Sequence, residues 1–190
     1  MSETKPWLAV YQEVGETLHA WSIVETELTH LFMAMHAQPW NDFVHPLRAA
    51  FEAVISLEAR LGMIGATAGA DKQLNDRYPA HFQPLKVKLL KSYRKRHEVA
   101  HFTLVGRADA TRQVHLIRPF FNWAKFQANE GVELDLKQIR ERKEAFFRLS
   151  ERVLQHRQYV ARRKELPAEY YAEAGHLVYP DLDDEPTATN

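Results

Sequence analysis

Tyr93-Arg94-Lys95-Arg96-His97-Glu98-Val99-Ala100-His101-Phe102 is where this chain changes its period. Before it, Phe82, Leu85, Leu89 and Tyr93 recur at steps of three and four, the stripe of an amphipathic helix. After it, Phe102-Thr-Leu-Val-Gly-Arg-Ala108 and Arg112-Gln-Val-His-Leu-Ile-Arg118 are rich in β-branched and apolar residues around a polar turn at 109–111. The spacing predicts a helix over 80–101 that ends within the motif, followed by a small β-hairpin over about 102–118. The helix is also the basic segment of the chain. Lys86, Lys88, Lys91, Arg94, Lys95 and Arg96 all precede its first acid, Glu98.

Upstream, Trp7, Tyr11, Val14, Leu18, Trp21, Leu28, Phe32 and Met35 form a second stripe, with Glu25 in the one place left without an apolar side chain. This predicts a first helix over 5–36, with Gly15 as a possible bend and Pro39 beyond its end. A helix capped by Asp42, with Pro46 in its first turns, should carry Phe43, Leu47, Phe51, Val54, Leu57, Leu61 and Ile64 on one face. Gly62, Gly65 and Gly69 weaken helical order after it, and 71–79 reads as a loop. Downstream, Asp135 caps a last helix over 136–164 with Ile139, Phe146, Leu149, Val153 and Tyr159 or Val160 inside. The expected architecture is all-α: an up-and-down four- or five-helix bundle, one domain over 1–179, with the hairpin inserted before the last long helix. The acidic tail 180–190 is expected to be disordered.

Composition narrows the chemistry. Hydrophobic residues make up 45% and charged residues 26%, ordinary for a soluble globular protein. With 25 basic and 25 acidic residues there is no global field to attract nucleic acid or membrane, so a polyanion site must be a local patch. The absence of cysteine excludes disulfides, thiolate metal sites and a cysteine nucleophile. No apolar window reaches the length of a membrane span, and the early run Pro6-Trp-Leu-Ala-Val-Tyr11 is broken by Gln12 and Glu13, too soon for a signal peptide. The expectation is a cytoplasmic protein without a membrane partner.

The motif supports three readings. His97-Glu98-Val-Ala-His101 has the spacing by which zinc peptidases hold their metal, because imidazoles four residues apart lie within about 40° of each other around a helix. Three cations immediately before His97 oppose a metal ion there, and the third ligand is undetermined among Glu130, Glu133 and Glu141. Read from Arg96, the same letters pair a permanent planar cation, able to bind phosphate bidentately, with an imidazole that titrates near neutrality. Such a pair can cleave RNA without a metal or other cofactor, because the substrate's own 2′-hydroxyl is the nucleophile. The third reading is a helical binding module in which Arg96 and His101 merely serve a helix end.

Arg96-His-Glu-Val-Ala-His101, late in the third helix, resembles the signature of the HEPN family: an arginine, commonly a polar residue, three more positions and a histidine. His97 takes the polar place and Ala100 the small one, while Phe102 stands where many relatives have glycine. Trp21-Ser-Ile-Val-Glu25-Thr-Glu-Leu28 is similar to the family's opening helix, in which an acid interrupts an apolar stripe. The resemblance spans about residues 7–163. It implies a metal-independent endoribonuclease with Arg96 and His101 catalytic, His97, Glu25 and Tyr93 supporting, and Lys91, Arg94 and Lys95 guiding RNA. It also implies a composite site at a homodimer interface and a toxin or phage-defence setting, with an antitoxin or inhibitor protein as a further partner. Five residues turn a helix by about 500°, leaving Arg96 and His101 roughly 140° apart on one helix; two copies across a two-fold axis, or a helix that ends near His101 and brings that side chain round, would reconcile them.

Overall fold

The computed structural model describes residues 6–39, 44–106, 114–117 and 133–167. Among them stand helices α1 (Pro6–Met35), α2 (Pro46–Ala53), α3 (Leu57–Ala70), α4 (Tyr78–His101) and α5 (Leu136–Arg163). Three short strands, β1 (Thr103–Gly106), β2 (Val114–Ile117) and β3 (Glu133–Leu134), lie between α4 and α5 in sequence. The chain is predominantly helical, and no described helix is long and apolar enough to cross a membrane. It divides into two compact units, Met1–Val24 with Lys91–Leu149, and Glu25–Leu90 with Ser150–Asn190.

In the first unit, Val10, Val99, Leu116, Leu134 and Ile139 form a buried cluster, with Val14, Leu18, Phe102 and Leu136 against it. Trp21 adds a second contact group, edge-on to Phe146 at 5.2 Å and tilted against Tyr93 at 5.8 Å between ring centroids. The buried face of α1 departs from the expected stripe at its N-terminal end. Trp7 and Tyr11 are 43% and 55% exposed, whereas Val10, Glu13, Thr17 and Ala20 are inside. Val14, Leu18 and Trp21 of the expected stripe still pack inward, so the face is shifted toward the preceding residues and widened rather than replaced. Two polar residues are stable inside because their bonds are satisfied. Glu13 accepts from Arg140 at 2.7 Å and from Lys143 at 2.9 Å, and the Thr17 hydroxyl donates to the Glu13 carbonyl at 2.6 Å. Val24 rather than Glu25 fills the inner place further along, leaving Glu25 half-buried at its edge.

β1 and β2 pair antiparallel, Thr103 opposite Ile117 and Gly106 opposite Val114, and β3 joins β2 with Leu116 opposite Leu134. A two-stranded hairpin was expected; a three-stranded sheet in the order β1-β2-β3 stands there. The expected turn at 109–111 lies outside the described residues. Asp135 then starts α5 through a reciprocal cap: the Gln138 amide donates to its carboxylate at 2.7 Å, and its own amide donates to the Gln138 side chain at 3.0 Å.

In the second unit, every residue of α1 from Leu28 to Met35 is buried, so this end of the helix is enclosed on all sides. Phe32 stacks on Phe51 at 4.4 Å, and Leu57, Leu61, Ile64, Leu74, Tyr78 and Phe82 complete the interior. The single helix expected across 43–64 is two. Val54 leaves α2 in an extended conformation, and Ser56 caps α3 by accepting from the Ala59 amide at 3.3 Å. β-Branched Val54 and Ile55 followed by a capping serine favour that break over a continued helix. Phe43 and the expected cap Asp42 lie outside the described residues. The glycines that should have weakened helical order are carried within α3, which runs on to Ala70.

α1 and α5 both end in a left-handed residue. Ala37 has φ 53° and Glu165 has φ 52°. After α1 the Gln38 amide reaches back to the Met33 carbonyl and the Ala37 amide to Ala34, both at 3.0 Å. After α5, Leu166 reaches Ala161 at 2.9 Å and Glu165 reaches Arg162 at 3.1 Å. Glycine would hold such a position without the Cβ penalty. Ala37→Gly should therefore stabilise the protein by about 0.5–1 kcal/mol, read as a higher melting temperature; a lower one would show that Ala37 does not hold this conformation in solution. His156 supplies a second expectation. It is buried against Tyr78, with its Nδ1 3.3 Å from the phenol oxygen, and burial followed by the nearby His81 and Arg152 push its pKa down to about 4. The unfolded chain binds a proton near pH 6.5 and the folded one only near 4, so stability is full above 6.5 and falls as pH drops through that window. By pH 5 this group should cost about 2 kcal/mol, and denaturant unfolding of the wild type and His156→Gln at pH 7.5 and 5 should show the variant losing that part of the pH dependence.

Candidate active site at the end of α4

The last turns of α4 place Tyr93, Arg96, His97, Glu98 and His101 in the first unit. The side chains of Tyr93, His97 and His101, each four residues after the last, form a ladder. Tyr93 meets His97 edge-on at 4.3 Å between centroids, and His97 lies parallel to His101 at 5.5 Å with 13° between the ring planes. The ladder starts at buried Trp21 and ends at His101, which is exposed. Burial, then the Arg96 guanidinium and the His101 ring, hold His97 below the ordinary histidine value.

Arg96 is half-buried, and its Nε is a buried donor without a hydrogen-bond partner. Glu98, the only acid between 91 and 101, is taken up elsewhere. Arg142 of α5 reaches its carboxylate at 2.6 Å and also donates to the Lys95 carbonyl at 3.0 Å. Among the described residues no carboxylate pairs with Lys91, Arg94, Lys95 or Arg96, and Lys91, Arg94 and Lys95 are exposed. The result is a cationic strip beside two imidazoles, a setting that attracts a phosphate. α4 remains helical to its end, with the Phe102 amide still donating to the Glu98 carbonyl at 3.1 Å. No unwinding turns His101 toward Arg96, and their separation of roughly 140° around the axis persists.

A zinc site would need further donors beside His97 and His101. Among the described residues no group of three His, Asp or Glu side chains is placed to hold a metal ion. Glu98, the residue that would act on a metal-bound water, is held by Arg142. Glu130 lies outside the described residues, as does the side chain of Glu133, and Glu141 stands 3.9 Å from Lys137.

Glu25 belongs to the second unit. Arg60, a cation of the same unit, is engaged at the end of α2, donating to the Val54 and Glu52 carbonyls at 2.6 and 2.9 Å and lying over the Phe51 ring. The arginines of α5 are divided by the fold. Arg140 is tied to Glu13, and Arg157 is only 2% exposed. Arg157 lies 3.2 Å from His30 Nδ1 and 3.6 Å from Glu27. A guanidinium can only donate, so in this contact His30 Nδ1 is the acceptor. Sequence reasoning missed this buried cluster; its one signal was Glu27 and His30, three residues apart, just before the apolar run 31–35 of α1.

The chain matches no protein-family model, no curated protein and no solved structure. Glu98→Gln should free Arg142 and loosen the junction of α4 and α5, costing about 1–2 kcal/mol in denaturant unfolding at neutral pH. A cost near zero would show that solvent screens the pair despite the limited exposure of Arg142.

Proposed function

We propose that the chain is a metal-independent endoribonuclease of HEPN-like type, with Arg96 and His101 as its catalytic residues. The observation that carries this reading is Arg96, without a carboxylate partner among the described residues, next to His97 and sharing a helix end with His101, where the one local acid is sequestered by Arg142. Arg96 would bind the scissile phosphate and stabilise the charge that builds on its oxygens. His101 would exchange the protons: the 2′-oxygen loses one as it attacks phosphorus, and the 5′-oxygen gains one as its bond to phosphorus breaks. The products are a 2′,3′-cyclic phosphate and a 5′-hydroxyl end. Lys91, Arg94 and Lys95 would hold the flanking backbone.

Because one α4 does not aim Arg96 and His101 at a common point, the working enzyme is a homodimer in which each phosphate meets Arg96 from one copy and His101 from the other. The up-and-down bundle with an inserted hairpin, the cytoplasmic site of action, the toxin or phage-defence role and the antitoxin or inhibitor partner belong to the same reading and rest on the resemblance. A non-catalytic dimerisation module is the second reading, favoured by the exposed Trp7, Leu8 and Tyr11 near the start of α1.

A fluorogenic RNA incubated with the protein in EDTA tests the proposal. Arg96→Ala and His101→Ala should each reduce cleavage by about 100-fold or more, with cyclic-phosphate ends on the wild-type products. Specific activity should fall as the protein is diluted into the monomer range. Intact RNA from a well-folded wild-type dimer would favour the binding module.

A further inference from the structure

We infer that His97 is a positioning residue, whose ring, wedged between Tyr93 and His101, fixes the plane in which the His101 imidazole meets its substrate. This deepens the ribonuclease reading and rests on it for the catalytic role of His101, but the ring contact itself does not.

His101 is the last residue of α4 and is exposed, the position at which a side chain is ordinarily free to change rotamer. An acid/base group placed that way loses rate, because proton transfer requires a defined heavy-atom approach. The structure supplies a restraint on one side of the ring. His97 lies nearly parallel to His101, with 13° between planes, and is itself met edge-on by Tyr93 at 4.3 Å. Tyr93 rests on Trp21, which is 1% exposed and edge-on to Phe146 of α5. Order is thus passed outward from the core, through a half-buried ring, to the exposed one.

The charges around His97 suit a packing role better than a second acid/base role. Arg96 and His101 flank it on its own helix; Arg142 of α5 is occupied by Glu98; and from α1 the uncharged Trp21 lies behind Tyr93. Burial, the Arg96 guanidinium and the neighbouring His101 all disfavour a proton on His97, so an uncharged aromatic ring should replace it.

The test compares His97→Phe and His97→Ala in the full chain. In EDTA with the fluorogenic RNA, His97→Ala should lower kcat by about 10- to 100-fold with KM within about twofold, whereas His97→Phe should retain kcat within about threefold of wild type. If His97→Phe is as inactive as His101→Ala while remaining folded, His97 itself exchanges protons and the inference fails. An independent readout does not need activity: the His101 ring-proton chemical shifts followed by NMR across pH. Stacking should displace them from free-histidine values in the wild type and in His97→Phe, but not in His97→Ala. Identical His101 shifts in wild type and His97→Ala would overturn the inference even if RNA is cleaved. A wild type that leaves RNA intact yet shows the stacking shifts would overturn the nuclease reading alone.

Discussion

The Arg142–Glu98 ion pair shapes the whole end of α4. Its geometry is close, 2.6 Å, and the same guanidinium also holds the Lys95 carbonyl, so one side chain of α5 grips both an acid and the backbone of the neighbouring helix. A pair of limited exposure resists screening better than a surface bridge. It also occupies the one acid among residues 91–101, so the cations of that stretch have no carboxylate partner among the described residues. A mechanical junction and a local positive field are therefore two consequences of a single contact, and the chemistry proposed for this helix end depends on that coupling.

A similar economy holds at the other polar junction of the first unit. Burial by itself would raise the Glu13 carboxyl, but hydrogen bonds from Lys143 and Arg140 outweigh it and hold the group below its ordinary value. Glu13 thereby remains a charged anchor inside the packed face of α1, linking it to the first turns of α5. The second unit takes another course, with Arg157 enclosed beside His30 and Glu27. Neither junction follows the simple separation of polar from apolar faces that sequence periodicity assumes.

That assumption explains which parts of the fold were legible. Long helices with strong local signals were read closely: α5 begins at the cap set by Asp135, and its expected inner positions Ile139, Phe146, Leu149 and Val153 are buried. The face of α1 departs from its apolar spacing at the N-terminal end because polar Glu13 and Thr17 lie inside, Thr17 bonded to the Glu13 carbonyl within the helix and Glu13 held by Arg140 and Lys143, more than a hundred residues away. The break between α2 and α3 was missed because apolar spacing continued smoothly across Val54 and Leu57 while the capping serine between them went unread.

The sequence by itself determined the local elements: where helical period stops, which side chains crowd the end of α4, and that two histidines and an arginine share its last turns. These follow from spacing along one helix, which short-range geometry governs. Tertiary structure decided the electrostatic character of that helix end. Whether Glu98 is left to the cations of its own helix or is taken by Arg142, whether Arg157 meets solvent or His30, and whether His97 lies against a supported Tyr93 all depend on side chains brought from distant parts of the chain. Coulomb energies and desolvation follow distance in space, and a sequence records only distance along the backbone.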